Sequence, residues 1–508
     1  MMSRKALYTV SMLYLWFPLA IFLAGWTYWW VASVTVILGL WISVSPFRHL
    51  TGRIVTGKRT FEITVAVILL FWVIWAGIGG IMYQDPIDQV YRNAVFRDLV
   101  YNPWPVIAQG QMLNYYFGFW LPAVVIAKLT GSIIAGKLFL ILYCTLGLWL
   151  GLRLIYECMH RAGLKALFVL LLFGGMDVAG VGIYSNFFPD LCYTIHHGFW
   201  GYSPAGFTMP NVTLLVYAFN QYIPSVIATL LVLARPCKGY GPAVLAMLMM
   251  TSPFAAVGLF PLVAWNLWRE VSACHGLRAR LLTVFTPVNI ASVIIIIPVC
   301  VFYSINNSAG HIQWYPAGEG PVVIQRIKMI VHILLLILLQ MGVWIPFIWK
   351  RVRHSMDFWL LFLTSCCAMF IQVGYSADFG TRVQLAMQTY LTLQIAISVE
   401  NFRLFARPMR VAFVTVGLLC VSGTAWELVR RVYFTFQTPY AEWEANQMPN
   451  IFVMNRCTYN FTAPASDWHF GPNDVSSPWL DDFFERHPEC NEYHDYLMEP
   501  MYDDQLYK

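Results

Sequence analysis

YQDPIDQVYRNAVFRDLVYNPWPVIAQGQMLNYYFGFW, residues Tyr83–Trp120, is the first long polar interruption in a chain of apolar runs. Its flanks decide the fold. Three apolar runs precede it, Ala6–Gly25, Tyr28–Val44 and Phe61–Met82, each close to the roughly 20 residues a helix needs to cross a bilayer. Across the chain 59% of residues are hydrophobic and 11% charged, against about 25% charged in soluble domains, and the mean hydropathy is +0.60. Within lipid only helices and closed barrels satisfy the backbone, and these runs are continuously apolar rather than alternating. The sequence therefore reads as an all-α polytopic membrane protein.

Basic connectors set the orientation. Arg48, His49, Arg53, Lys58 and Arg59 separate the second and third runs, which places them and the N-terminus in the cytoplasm and Tyr83–Trp120 outside. The formal charge of +6 belongs to such connectors, so no nucleic-acid partner is expected. Asp88–Arg97 predicts an interfacial helix, with Val90, Ala94 and Phe96–Leu99 on the bilayer and Asp88, Arg92 and Asp98 kept polar, ended by Pro103 and Pro105. Tyr116–Thr130, short and interrupted by Pro122 and Lys128, reads as a re-entrant or interfacial element, leaving Ser132–Leu152 as the fourth span.

The later runs are Leu164–Ile183, Val212–Ala234, Leu281–Tyr303, Ile327–Trp349, Phe358–Val373, Leu385–Val399 and Val411–Trp426. Between the second and third of these, Pro242–Trp268 is divided at Ser252-Pro253 into two short segments whose outer ends both return to the cytoplasm. The reading totals about 13 transmembrane helices with interfacial helices in the external loops. It assigns 1–426 to the membrane domain and 427–508 to a small extracytoplasmic tail, in an inner (plasma) membrane with the C-terminus outside. Cys457 and Cys490 in that tail admit two readings, a disulfide staple or two separate thiols. The chain has no CxxC or HExxH pattern to support a zinc hydrolase.

The external segments collect the chemistry. The first holds Asp85, Asp88, Arg92, Arg97 and Asp98; the second Asp190, His196, His197 and Trp200; the third His311, Trp314 and Glu319; the fourth Asp378 and Arg382. A carboxylate can take a proton from a hydroxyl, a guanidinium fork can hold a phosphate, and aromatic rings offer flat surfaces to sugars. Each has a plainer reading as well. Asp88 can cap its helix or pair with Arg92, tryptophans belong at any bilayer interface, adjacent His196 and His197 cannot face one metal from a helix, and Asp378 and Arg382 are spaced for an i,i+4 ion pair.

An acid-bearing first external loop, an interfacial helix and a many-helix bundle together resemble the GT-C glycosyltransferases, which use polyprenyl- or dolichyl-phosphate-linked sugars. More narrowly, DQVYRNAVFRDLVYNPWPV, YYFGFWLPAVVIAKLTG, FGGMDVAG, SPAGFTMPNVTLLVYAFNQYIPS and YSADFGTRVQLAMQ are similar to blocks of a bacterial group of GT-C-like membrane proteins. The resemblance covers Phe61 to about Val399. It implies a catalytic acid at Asp88, with Asp85 as its rival, and a donor-phosphate arginine at Arg382, with Arg97 and Arg92 as further candidates. Arg92 stands where members often carry a second acid or a histidine. His196, His197 and Asp177 fall in shared blocks without an assigned chemical role, and His196, His197, Trp200, His311 and Asp378 are candidates for substrate binding.

The function expected is transfer of a sugar from a polyprenyl-phosphate donor to an extracytoplasmic glycan, lipid or protein acceptor, with inversion. Asp88 would deprotonate the acceptor while Arg382, with Arg97 or a divalent cation such as Mg or Mn, stabilises the departing phosphate. The partners expected are the lipid-linked sugar, membrane lipids and an acceptor. Two other classes stand beside it: a lipid or glycan flippase, which would need charges within its spans, and a non-enzymatic assembly protein, which would leave the acids and arginines of the first loop without a role.

Overall fold

The computed structural model of the chain describes residues 2–84, 88–187, 210–306, 312–314, 322–373, 378–437 and 462–486. Among them eight helices are long and apolar enough to cross a membrane, and the protein is a mostly helical, multi-span membrane protein. Helices α1 (Arg4–Trp26) and α2 (Trp29–Val44) form a hairpin, followed by α3 (Arg59–Trp75). The polar segment supplies α4 (Asp88–Tyr101), β1 (Ile107–Ala108), β2 (Gln111–Leu113) and α5 (Leu121–Thr130). Next come α6 (Ile133–Met159), α7 (Leu164–Leu172), α8 (Asp177–Phe187), α9 (Asn211–Ala234), α10 (Gly241–Leu248), α11 (Pro253–Ser272), α12 (Leu277–Val284) and α13 (Pro287–Ser304). The rest is β3 (Ile312–Trp314), α14 (Val322–Leu336), α15 (Ile345–Val352), α16 (Met356–Ala368), β4 (Ile371–Val373), α17 (Asp378–Val383), α18 (Leu385–Glu400), α19 (Arg407–Gln437), β5 (Thr462–Pro464) and α20 (Pro478–Arg486).

Ion pairs gather one set of helix ends. Arg4 at the start of α1 meets Glu157 at the end of α6, and Arg153 of α6 meets Glu62 in the first turn of α3. Glu400, closing α18, accepts Arg161 at 3.3 Å and Lys165 at 3.8 Å, while Arg235 after α9 reaches Asp357 of α16 at 2.5 Å. We call this the basic end. The connectors that the charge pattern assigns to one side therefore meet in space. Around the middle, side chains such as Ile37, Phe71, Leu142, Val293 and Leu418 are exposed, an apolar girdle of the kind that faces lipid.

Several boundaries differ from the sequence reading. The third run stops as a helix at Trp75, because Gly77, Gly79 and Gly80 follow in left-handed backbone. The fifth run splits into α7 and α8 at Phe173–Met176, the FGGM stretch. The last helix runs past Trp426 to Gln437, carrying Glu427, Arg430 and Arg431 into the bundle rather than into a tail. Centrally, α9 is buried along its length although it carries Asn211, Asn220, Gln221 and Ser225. It is broken at Ala218 (φ −146°, ψ 27°), and Pro224 offers no N–H to the carbonyl one turn back.

Two elements turn back inside the bundle. Gly241 of α10 lies against Val263 of α11, and Gly239 donates to Glu270, so the pair is a hairpin with both outer ends at the basic end and its tip at Thr251–Ser252. From the opposite side, the chain dips at Phe117–Trp120 and returns as α5. Phe119 packs on Tyr14, Tyr143 and Phe219, while Ser132 caps α6 by accepting from the Ala135 N–H at 3.3 Å. The dip touches the hairpin tip at Gly118, where a Cβ would lie 2.9 Å from the Met250 carbonyl and 2.7 Å from its side chain. Only glycine allows this approach.

The C-terminal residues dock on the polar segment. Gln109 and Gly110, at φ 50° and 72°, make the two-residue turn joining β1 to β2, the left-handed pair such hairpins require. β5 adds to β2 with Met112 opposite Ala463. The Trp468 indole donates to the Trp26 carbonyl at 2.8 Å, Tyr28 donates to the Phe470 carbonyl at 2.8 Å, and Trp479 stacks on Tyr101. Cys457 and Cys490 lie outside the described residues.

Candidate functional site

The polar segment is more enclosed by protein at its helix than an amphipathic surface helix would be. Its helix α4 is packed into protein on several faces: Ala94, Val95, Phe96 and Leu99 are buried, and so are Arg92 and Asp98, which the amphipathic reading kept on the polar side. The reason is that α5 and α6 pack on it, as when Phe96 reaches Gly136 of α6, while Trp479 stacks on Tyr101 at its end. The burial of Arg92 is accordingly a tertiary effect.

The start of α4 is fixed by a relay of amides. Gln89 donates to the Val216 carbonyl of α9, in the turn just before the break at Ala218. Asn93 donates to Gln84 at 2.8 Å, and Gln84 donates to the Gly77 carbonyl at 2.9 Å. Behind this relay stands a charged cluster from α19. Arg431, 1% exposed, donates to the Tyr83 carbonyl at 2.6 Å and to Glu427 at 3.3 Å. Arg430 reaches Tyr217 at 3.2 Å and shares Glu427 at 3.6 Å. One carboxylate thus serves two guanidinium groups.

Further cations follow α4 to its other end. Arg92 lies one turn on from Gln89, on the same side of the helix, and its Nη1 is buried without a hydrogen-bond partner among the described residues. Arg97 is within electrostatic reach of Lys137 on α6. Lys128 of α5 donates to the Asn102 carbonyl at 2.6 Å and lies 5.2 Å from the Trp104 ring. Against Arg92, Arg97, Lys128, Lys137, Arg430 and Arg431, the acids with described side chains are Asp98 and Glu427. Asp85 and Asp88, before and at the start of α4, stand outside that tally, and Arg97 and Asp98 have interactions of their own. A guanidinium nitrogen buried without a partner among the described residues, as at Arg92, suits an anionic acceptor.

Other residues named from sequence fall elsewhere. Asp88 begins α4 and Asp378 begins α17, with side chains outside the description; Asp85, His196, His197, Trp200 and His311 lie outside the described residues altogether. Arg382 is buried on α17, which packs on α11, α16 and α18, whereas α4 packs on α5. Phe379 meets Phe254 edge-on at 5.4 Å in that second neighbourhood. Asp177 is fully buried and accepts from Gln340 at 2.6 Å. A π-helical stretch, Ile337–Met341, presents that glutamine, so Asp177 serves to hold the break between α7 and α8.

Sequence reading passed over Lys137, Glu427, Arg430 and Arg431. The signal available was ELVRR at residues 427–431, with i,i+3 and i,i+4 spacing of acid and bases; reading the helix as ended at Trp426 hid it. Among the described residues no group of three His, Cys, Asp or Glu side chains is placed to hold a metal ion. Compared with protein families, curated proteins and solved structures, the chain matches none.

Proposed function

We propose that the protein transfers a sugar from a polyprenyl-phosphate donor to an extracytoplasmic acceptor, with α4 as the floor of the donor site. In this reading the basic end faces the cytoplasm, the bundle counts about 13 membrane helices with its short segments included, and the arrangement is GT-C-like. The observation that carries it is the buried Arg92 nitrogen on α4, which has no hydrogen-bond partner among the described residues. Phosphate oxygens fit such a place because they accept several hydrogen bonds from a guanidinium fork. Asp88 takes the acceptor hydroxyl's proton as that oxygen attacks the anomeric carbon. The bond to phosphate breaks, and Arg92, Arg97 and Lys137 hold the released lipid phosphate, with Arg382 or a divalent cation as further candidates.

A second reading rests on a different observation. Half-helices entering from opposite ends meet at Gly118 and Met250, and discontinuous helices of this kind frame substrate paths in transporters. A lipid or glycan flippase is the function this favours. One experiment separates the two: purified protein reconstituted in vesicles, supplied with a panel of polyprenyl-phosphate sugars, and assayed both for donor consumption and for movement of a labelled lipid between leaflets. Donor turnover that fails in Asp88→Asn supports the transferase. Leaflet exchange without turnover overturns it in favour of the flippase.

A further inference from the structure

We propose that the basic end carries a binding site for the headgroup of an anionic phospholipid, in the cavity between the α9–α10 connector and the last turns of α11. This site is separate from α4 and independent of the transferase reading. The cavity holds about 520 Å³. Its wall is apolar at Val263 and Leu267, and its mouth carries Arg235, Lys238 and Arg269 against Glu270. Two of these charges are already engaged: Arg235 bonds Asn266 at 2.8 Å and Asp357 at 2.5 Å, and Glu270 accepts the Gly239 N–H at 3.1 Å. The side chains of Lys238 and Arg269 are exposed and make no hydrogen bond among the described residues, although Lys238 lies within electrostatic reach of Glu270.

The surroundings set the depth of the mouth. Trp268, beside Arg269, is 62% exposed, and α12 just beyond has no buried residue. Leu277, Leu281, Leu282 and Phe285 are exposed on it and after it, interleaved with Arg278 and Arg280. A short helix that buries nothing in its own protein, with apolar residues and arginines both exposed, is built to lie at the headgroup layer. The cavity therefore opens where a phosphodiester sits, with cations for the phosphate and an apolar wall for the glycerol and upper chains. Zwitterionic lipid presents the same phosphate with its charge cancelled, so the site selects for net negative charge.

The test uses the full-length protein in detergent with added phosphatidylglycerol or phosphatidylcholine, read by native mass spectrometry as lipid retained per protein. The wild type retains phosphatidylglycerol in preference to phosphatidylcholine. Lys238→Gln/Arg269→Gln weakens that retention by roughly 30-fold, from about 1 kcal/mol for each cation near an anionic surface, while Arg403→Gln/Arg407→Gln at the same end leaves it unchanged. If the double variant does not fold, Arg269→Lys is compared with Arg269→Gln, and retention follows the charge. Equal retention by wild type and the charge-removing variant overturns the proposal, as does equal retention of the two lipids. Displacement of the lipid by inorganic phosphate at equal concentration overturns the lipid assignment in favour of a free-anion site.

Discussion

At the basic end, the cations of Arg4, Arg153, Arg161, Lys165 and Arg235 each meet a carboxylate, supplied by Glu157, Glu62, Glu400 and Asp357. Around α4 the arrangement is different: Arg430 and Arg431 share Glu427, Lys128 turns to a carbonyl and a ring, and Arg92 has a buried nitrogen with no hydrogen-bond partner among the described residues. Charges that tie helices together come matched, because removing one partner strands the other. The ion pairs named at the basic end are therefore one-to-one or shared by cations at a helix end, whereas around α4 carbonyls, a ring and a shared carboxylate take that place.

That division should appear as different kinds of loss. Arg153→Ala strips the partner from Glu62 and is expected to destabilise the protein by about 3–5 kcal/mol, read as a drop in thermal or denaturant midpoint. Adding Glu62→Gln should recover part of it. An unchanged midpoint for Arg153→Ala would remove the structural role given to the basic end. Next in size, Asp88→Asn should lower turnover by roughly 10²-fold or more with donor binding retained, measured as kcat against KM in the reconstituted assay. Equal turnover would transfer the base role to Asp85 or end the transferase reading.

Arg92→Gln tests the unmatched class directly. We expect the midpoint to stay within about 1 kcal/mol of wild type, since an unsatisfied buried charge is lost, and donor affinity to fall by about 10-fold or more. A large destabilisation with unaltered affinity would place Arg92 with the structural cations. The smallest effect is assigned to Arg486, whose pair with Asp482 on α20 is exposed at both partners. Arg486→Ala should change stability by less than about 1 kcal/mol, and a larger loss would mean that exposure is a poor guide to which pairs matter.

The membrane class and the hairpin at Ser252 were legible in the sequence because both follow from local properties: apolar run length, and a serine-proline break within a run flanked by basic ends. That Tyr116–Thr130 holds a short helix rather than a full span was legible for the same reason, through Pro122 and Lys128. What was not legible depends on partners distant in sequence. Nothing in DQVYRNAVF announces that Arg92 will be buried, or that residues 462–486 will dock on β2 and on Tyr101 beyond it. Nor does apolar composition show that α9 is the buried axis, since its asparagines and glutamine would argue for an edge. Arg382 illustrates the converse: a residue type suited to phosphate was readable, but its neighbourhood on α11, α16 and α18 was not.

The contact between Gly118 and Met250 has a mechanical consequence. The hairpin whose tip meets Gly118 is the same body whose far ends line the lipid cavity at Gly241, Val263 and Glu270, and the strand of chain that meets it continues directly into α5, the packing partner of α4. With no side chain in the gap, neither half can advance without pushing the other. A displacement of one half would therefore be felt by the other, and a ligand that moved either half would be coupled to the opposite end by the same factor in both directions.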